Sequence, residues 1–353
     1  MSLANNTMLT SLKLLVTRLQ PKRCVNAWIV AILLVSLVGC SQPSTVSSLH
    51  ALHERVAFTL DIELTPLTFE PRPPQLPDVR VLKPTASTPT MRFLTALQLN
   101  HCRAGQLIAE RNSALGRLDD GFSRFQDDQS LIKALRQCAK SPQSEAFAAE
   151  LITAAQQLSD TTSARLARAL ATDKGLRHAL TMAATPLVTI SDTEFIHSIN
   201  ALNAVTSWLE EPNTAVDLNE PLKVLAQEDY LPQLMRSIAE YSVLLTQFSE
   251  QLDNLAQPAG CLSKGIPERA HRLHSAFISV FIKQTQGDLA DIQRQYQRFS
   301  EALNTLAMTA PQPELKHYLN QWALYDARLT QATKSFVQPW QQFFEACGFK
   351  AGR

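Results

Sequence analysis

The sequence predicts an all-α fold, a multi-helix bundle with long antiparallel, coiled-coil-like helices preceded by a proline-rich extended arm. Apolar residues recur at three- and four-residue spacing through most of the chain after residue 91, as they do along amphipathic helices. Glycine accounts for only 10 of 353 residues, which suits helices better than sheets with glycine-rich turns. Seven prolines fall within residues 65–90, and so dense a cluster excludes regular secondary structure there.

Residues 1–39 have the features of an export signal. Four basic residues and no acidic one precede the apolar run: Lys13, Arg18, Lys22 and Arg23. The run from Ala27 to Val38 is much shorter than the roughly 20 residues of a membrane-spanning helix, and this combination is typical of a signal peptide. Leu37-Val38-Gly39-Cys40 resembles the lipobox of bacterial lipoproteins. This resemblance implies cleavage before Cys40 and lipidation of its thiol; the alternative is an ordinary secretory signal with a chance cysteine.

The expected location is the periplasmic face of the outer membrane of a Gram-negative bacterium. Ser41, rather than the aspartate that often retains lipoproteins at the inner membrane, follows the lipidated position. Without the leader the chain carries 29 Lys and Arg against 32 Asp and Glu, so it lacks the basic excess of a nucleic-acid-binding protein. The expected partners are the membrane, through Cys40, and an envelope protein.

Two segments separate the leader from the main domain. Residues 40–64 form an anchored segment with a short amphipathic helix, because Leu49, Val56 and Leu60 repeat at helical spacing. Residues 65–90 form the proline-rich arm. Leu67 and Phe69 make this arm too apolar for a purely solvated spacer, which favours an arm lying on the helical body over a free tether.

Residues 91–353 form the helical domain. In its first half the apolar spacing predicts helices over 94–116, with Leu115 facing inward, and over 128–139, 142–158, 160–171, 174–184 and 191–209. Ser141-Pro142 and the capping box Ser191–Glu194 mark two of the starts. The second half predicts three long antiparallel helices over 234–255, 289–306 and 315–343, the last kinked at Pro339.

Four cysteines remain after the leader and Cys40: Cys102, Cys138, Cys261 and Cys347. An even number in an oxidising compartment predicts two disulfides. Antiparallel helices bring the start of one helix beside the end of the next, so the expected pairs are Cys102–Cys138 and Cys261–Cys347. Free buried thiols are the alternative.

The most distinctive internal stretch is "CRAGQLIAERNSALGRL", residues 102–118. Arg111 falls on the apolar face of its helix, where a guanidinium needs a partner. Arg111, Asn112 and Arg117 could line a binding groove, or Arg111 could act as a polar lock that holds the helix in register. This stretch, with the leader and the arm, resembles a family of proteobacterial lipoproteins described only as a domain of unknown function. The resemblance extends over most of the mature chain and implies no catalytic residue.

The sequence offers no recognisable catalytic or metal motif. Glu-x-x-His occurs at Glu194, Glu268 and Glu314, but each glutamate is expected in the first turn of a helix, where it stabilises the exposed N–H groups. There is no H-E-x-x-H, G-x-S-x-G, P-loop or G-x-G-x-x-G. We therefore expect no metal and no cofactor. The leading hypothesis is a binding or scaffold protein of the envelope; the alternatives are an envelope enzyme with a cleft near Arg111 and a carrier of an apolar ligand.

Overall fold

The apolar repeats of the sequence form α-helices that pack against one another. The computed structural model describes residues 44–70, 73–83, 98–117, 120–211, 216–261 and 265–349. The leader with Cys40, parts of the arm and the start of the helix expected from residue 94 lie outside these ranges. Helices and no strands occur within them, so the all-α prediction is confirmed. None of the helices in these ranges is both long enough and apolar enough to cross a membrane.

The helices have the following bounds: α1 Ser47–Leu60, α2 Val79–Leu82, α3 Arg103–Asn112, α4 Gly121–Cys138, α5 Ala148–Asp160, α6 Thr162–Thr172, α7 Lys174–Ala179, α8 Asp192–Glu210, α9 Asn219–Gln227, α10 Tyr230–Ser249, α11 Glu268–Ala276, α12 Gln286–Thr309, α13 Pro313–Ala323 and α14 Tyr325–Cys347. A 3₁₀ turn, Gln98–His101, precedes α3, and another, Pro142–Phe147, precedes α5. A π-helical segment, Phe277–Thr285, joins α11 to α12.

Helix α10 lies at the centre of the larger of two hydrophobic cores. Its predicted seam, from Leu234 through Tyr241 to Phe248, is fully buried. Helix α14 packs along it, with the rings of Phe248 and Phe336 5.3 Å apart. The predicted N-terminal helix is confirmed as α1, and the Tyr241 hydroxyl donates to the Thr45 carbonyl oxygen at 2.5 Å just before α1 begins. The predicted long helices therefore share one apolar interior.

The expected single helix over 94–116 is interrupted at Cys102 and is wrong at its end. Gln98–His101 is a 3₁₀ turn, and the extended backbone of Cys102 separates it from α3. Helix α3 stops at Asn112, and Leu115 is 82% exposed instead of buried. Ser113 adopts an extended conformation, and its hydroxyl accepts a hydrogen bond from the Gly116 N–H at 3.0 Å. Such a side-chain bond gives the backbone an alternative to the next helical turn.

Helix α4 begins at Gly121, seven residues before the predicted start at 128. Its first N–H groups are paired with distant side chains, because the Gly121 N–H bonds Thr172 Oγ1 at 3.1 Å and the Phe122 N–H bonds Asp173 Oδ2 at 3.2 Å. These partners come from the end of α6 and the start of α7. Asp120 adds a local cap, because its Oδ1 accepts from the same Gly121 N–H at 3.0 Å. The early start therefore combines a local cap with tertiary contacts that apolar spacing does not encode.

Other elements also differ from the prediction. Helix α2 lies inside the proline-rich arm, where regular secondary structure was excluded, because residues 78–83 contain no proline and Asp78 Oδ1 accepts from the Arg80 N–H at 2.8 Å. The helix expected from residue 142 begins as a 3₁₀ turn and becomes α5 at Ala148. Helix α9 was not predicted, and α7 ends at Ala179 instead of residue 184. Helix α10 ends at Ser249, although Leu252 and Leu255 beyond it are still buried. The expected single helix over 315–343 is divided at Leu324 into α13 and α14, and Pro339 lies inside α14.

Two disulfides join helix ends. Cys102 and Cys138 have Cα atoms 5.9 Å apart, and Cys261 and Cys347 have Cα atoms 5.0 Å apart. This is the pairing that the antiparallel topology predicts. Cys102–Cys138 belongs to a second, smaller core formed by α3, α4 and α5. Loops of this length would contribute on the order of 4 kcal/mol each in the chain-entropy model.

Gly175 allows α7 and α9 to approach closely. A Cβ atom at this position would lie 2.2 Å from the Leu222 carbonyl oxygen, so we expect Gly175→Ala to lower the free energy of unfolding by about 1–3 kcal/mol. Gly287, in α12, has no atom within 4 Å of its would-be Cβ. Gly287→Ala should leave stability unchanged or raise it by up to ~1 kcal/mol. Urea unfolding of both variants checks this, and equal effects would contradict the close approach.

Candidate functional site

An open groove runs between α10, α14 and the proline-rich arm. Its volume is about 1050 Å³, at the upper end of the range of ligand sites. The arm contributes Phe69, Glu70 and Pro73 to its wall. Helices α10 and α14, with Leu324 just before α14, contribute the remainder: Ala239, Ser242, Val243, Thr246, Gln247, Glu250, Leu324, Tyr325, Ala327, Arg328, Gln331, Ala332 and Ser335.

Short side chains on the two facing helices create the groove. On α10 they are Ala239, Ser242 and Thr246, which repeat at three- and four-residue spacing and so lie on one face. On α14 the corresponding positions are Ala327 and Ala332. The same two helices pack closely through large side chains on their buried faces. Space therefore opens only along the outer edge of the helix pair.

The arm is fixed to α10 by glutamine side chains. Gln247 binds both main-chain groups of Thr68: its Oε1 accepts from the N–H at 3.0 Å, and its Nε2 donates to the carbonyl oxygen at 2.8 Å. Gln251 Oε1 accepts from the Thr65 N–H at 2.6 Å. These contacts recognise an extended main chain and not a particular side chain.

Further contacts hold the arm on the helical body. The Arg236 guanidinium carbon lies 4.0 Å from the centre of the Phe69 ring, and its Nε donates to Glu240 Oε2 at 2.6 Å. Farther along, Arg177 Nη2 donates to the Pro77 carbonyl oxygen at 3.1 Å, and Gln312 Nε2 donates to the Leu82 carbonyl oxygen at 3.3 Å. The described parts of the arm therefore lie against the body and form a wall of the groove.

Within the described residues, the groove combines apolar walls with two acidic side chains and one basic side chain. Glu70 faces it from the arm, Glu250 from the residue after α10, and Arg328 from α14. The Arg328 guanidinium lies 4.7 Å from the centre of the Tyr325 ring. Burial raises the pKa of the Tyr325 hydroxyl, although Arg328 opposes the shift, so the phenol stays neutral at physiological pH. Its surroundings suit an apolar segment with a basic side chain at one end.

A family comparison covers nearly all of this structure. The sequence pattern of one family matches residues 49–351, from α1 through the arm to the end of α14. The chain belongs to DUF3080, a family of proteins of unknown function. No curated protein and no solved structure matches it. The expectation of a domain of unknown function over most of the chain is confirmed, and both the groove and the two disulfides lie within the matched residues.

The sequence-predicted polar residues of this DUF3080 protein do not converge on a groove. The Arg111 guanidinium is bonded to Asp128 Oδ1, and Asp128 Oδ2 is bonded to Arg165. Asp128 is only 2% exposed. Asn112 is exposed, and the exposed Arg117 donates through Nε to the Ser113 carbonyl oxygen of its own turn at 3.4 Å. Arg111 thus has the geometry of a polar lock between α3, α4 and α6.

The three Glu-x-x-His motifs occupy helix starts. Glu194, Glu268 and Glu314 lie in the first turns of α8, α11 and α13, as predicted. Among the described residues, one group of potential metal ligands is close together: His101, Cys102 and Cys138. Its two sulfur atoms are joined in a disulfide.

We expect Asp128→Asn to destabilise the DUF3080 domain by about 3–5 kcal/mol, because Arg111 and the nearly buried Arg165 would lose their shared carboxylate. Glu301→Gln, at an exposed position of α12, is the control and should change stability by less than ~0.5 kcal/mol. Chemical denaturation measures both. If the two variants unfolded at the same denaturant concentration, Asp128 would not be a lock.

Proposed function

We propose that this protein is a lipid-anchored binding protein of the cell envelope that presents its groove to an extended polypeptide segment of a partner. The anchor would be Cys40, and the location the periplasmic face of the outer membrane. The lipobox-like sequence supports the anchor. Two cysteine pairs at bonding distance support an oxidising compartment.

The observation that carries the proposal is the way α10 binds the arm. Gln247 pairs with both main-chain groups of Thr68, so this helical surface already binds an extended polypeptide of its own chain. The opposite wall of the groove also offers an amide side chain and an apolar side chain. These are Gln331 of α14 and Leu324, just before α14. A second extended segment would lie beside the arm, between it and α14.

Charge defines the partner further. Among the described lining residues, Glu70 and Glu250 are acidic and Arg328 is basic, which favours a segment with a basic side chain. The aromatic and aliphatic lining favours apolar side chains beside it. Such binding needs no catalytic group. The alternative of an enzyme with a cleft at Arg111 loses support because that guanidinium is bonded to buried Asp128.

Site-specific photo-crosslinking in cells tests the groove. A photo-reactive amino acid in place of Gln331 should give a discrete adduct, and the mapped crosslink should lie in an extended segment of one protein. The same amino acid in place of Lys316, an exposed residue of α13, should give no such adduct. Ala327→Trp should reduce the adduct at least about tenfold, equal to ~1.4 kcal/mol of binding free energy, because the indole fills the groove. Ala149→Trp, at another exposed helical alanine, should leave it unchanged.

Two outcomes would overturn the proposal. One is an adduct from position 331 that Ala327→Trp does not reduce; the other is no adduct at all. An adduct to a lipid or another small apolar molecule would indicate the carrier alternative instead. The anchor is tested separately, since labelled palmitate should appear in the mature chain and disappear with Cys40→Ser.

A further inference from the structure

The disulfide of the smaller core has a histidine and a serine beside one of its sulfur atoms. His101 Nε2 lies 3.9 Å from Cys138 Sγ, and Ser144 Oγ lies 3.5 Å from the same sulfur. His101 Nε2 and Ser144 Oγ are 3.0 Å apart. His101 Nε2, Ser144 Oγ and Cys138 Sγ therefore form one connected cluster.

The other imidazole nitrogen fixes the tautomer. His101 Nδ1 lies 3.0 Å from the Gln98 carbonyl oxygen, which can only accept a hydrogen bond, so Nδ1 carries the proton in the neutral ring. Nε2 is then the basic nitrogen, and it faces Cys138. When the ring is protonated, Nε2–H can donate to Cys138 Sγ or Ser144 Oγ.

The two sulfur atoms differ in access. Cys138 is 2% exposed and Ser144 is fully buried, whereas Cys102 is half-buried and His101 is exposed. Cys102 is also the residue just before α3, a helix of ten residues, where the helix N-terminus stabilises a thiolate. The difference in access directs a thiolate from outside to Cys102, which displaces Cys138. The helix N-terminus then favours Cys102 as the leaving thiolate of a second exchange step.

We propose that Cys102–Cys138 is a thiol–disulfide exchange centre that oxidises a dithiol of a partner polypeptide. A partner thiolate attacks Cys102 Sγ, the Cys102–Cys138 bond breaks, and Cys138 leaves as a thiolate. The proton released when the partner thiol ionised reaches Cys138 through His101 Nε2. The second partner thiol, losing its proton to Cys102, then displaces Cys102 from the mixed disulfide. Two electrons and two protons pass from the partner, which becomes a disulfide, to Cys102 and Cys138, which become thiols.

The second disulfide is an internal control. Within the described part of the chain, no histidine nitrogen or carboxylate oxygen lies within 4.8 Å of both sulfur atoms of Cys261–Cys347. This bond joins the segment before α11 to the end of α14, against the larger core. The proposed activity thus belongs to one disulfide, while the other acts as a brace. The activity does not depend on the groove.

The experiment treats the mature protein with dithiothreitol at pH 7, quenches samples with an alkylating reagent and follows each cysteine pair by peptide mass spectrometry. Cys102–Cys138 should open at least about tenfold faster than Cys261–Cys347 in the same molecules. His101→Gln should slow only the first bond, and so should Ser144→Ala. His317→Gln, at an exposed histidine of α13, should change neither rate.

The proposal is overturned if both bonds open at the same rate, or if neither His101→Gln nor Ser144→Ala slows the opening of Cys102–Cys138. If His101 and Ser144 only supported the fold, replacing them would loosen it. The Cys102–Cys138 bond would then open faster in the variants, not more slowly. Melting temperatures measured alongside show that the variants are folded.

Discussion

The structure depends on the burial of α10. This helix is buried on more than one face: its seam points into the core, and Ala239 and Ser242 on a second face are also buried. The seam consists of Leu234, Ile238, Tyr241, Leu245 and Phe248. A helix of this kind is stable only when neighbouring elements cover each apolar face. Helix α14 covers one side, α12 and α8 cover others, and the Thr45–Tyr241 bond ties the start of α1 to it. The arm follows α1 across the same helix and is held by Gln247 and Gln251.

The groove results from this arrangement. Large side chains bring α10 and α14 together on their inner faces, and short side chains leave them apart on the outer edge. The arm then adds a third wall instead of filling the gap. The groove is lined by apolar and amide side chains together with Glu70, Glu250 and Arg328. Its selectivity would come from main-chain recognition by amide side chains and from the charges of Glu70 and Glu250.

Sequence reasoning was reliable where local spacing determines the outcome. The seams of α10 and α12, the serine cap of α8 and both cysteine pairs follow from residues close in sequence or from antiparallel topology. It failed at the start of α4, where apolar spacing gives no signal and the cap Asp120 acts together with the distant Thr172 and Asp173. It also missed the groove, because short residues such as Ala327 carry no chemical signal until the facing helix is known. Arg111 was recognised as inward-facing, but its two partners come from other helices.

The groove exists only if the arm is bound to α10 and forms one of its walls. Amide hydrogen exchange at Thr65 and Thr68 tests this contact, since the Thr68 N–H bonds Gln247 of α10 and the Thr65 N–H bonds Gln251, two residues after α10 ends. The account predicts exchange much slower than in an unstructured peptide, and loss of this protection at Thr68 in a Gln247→Ala variant. Exchange at the unstructured rate in the unmodified protein would contradict it.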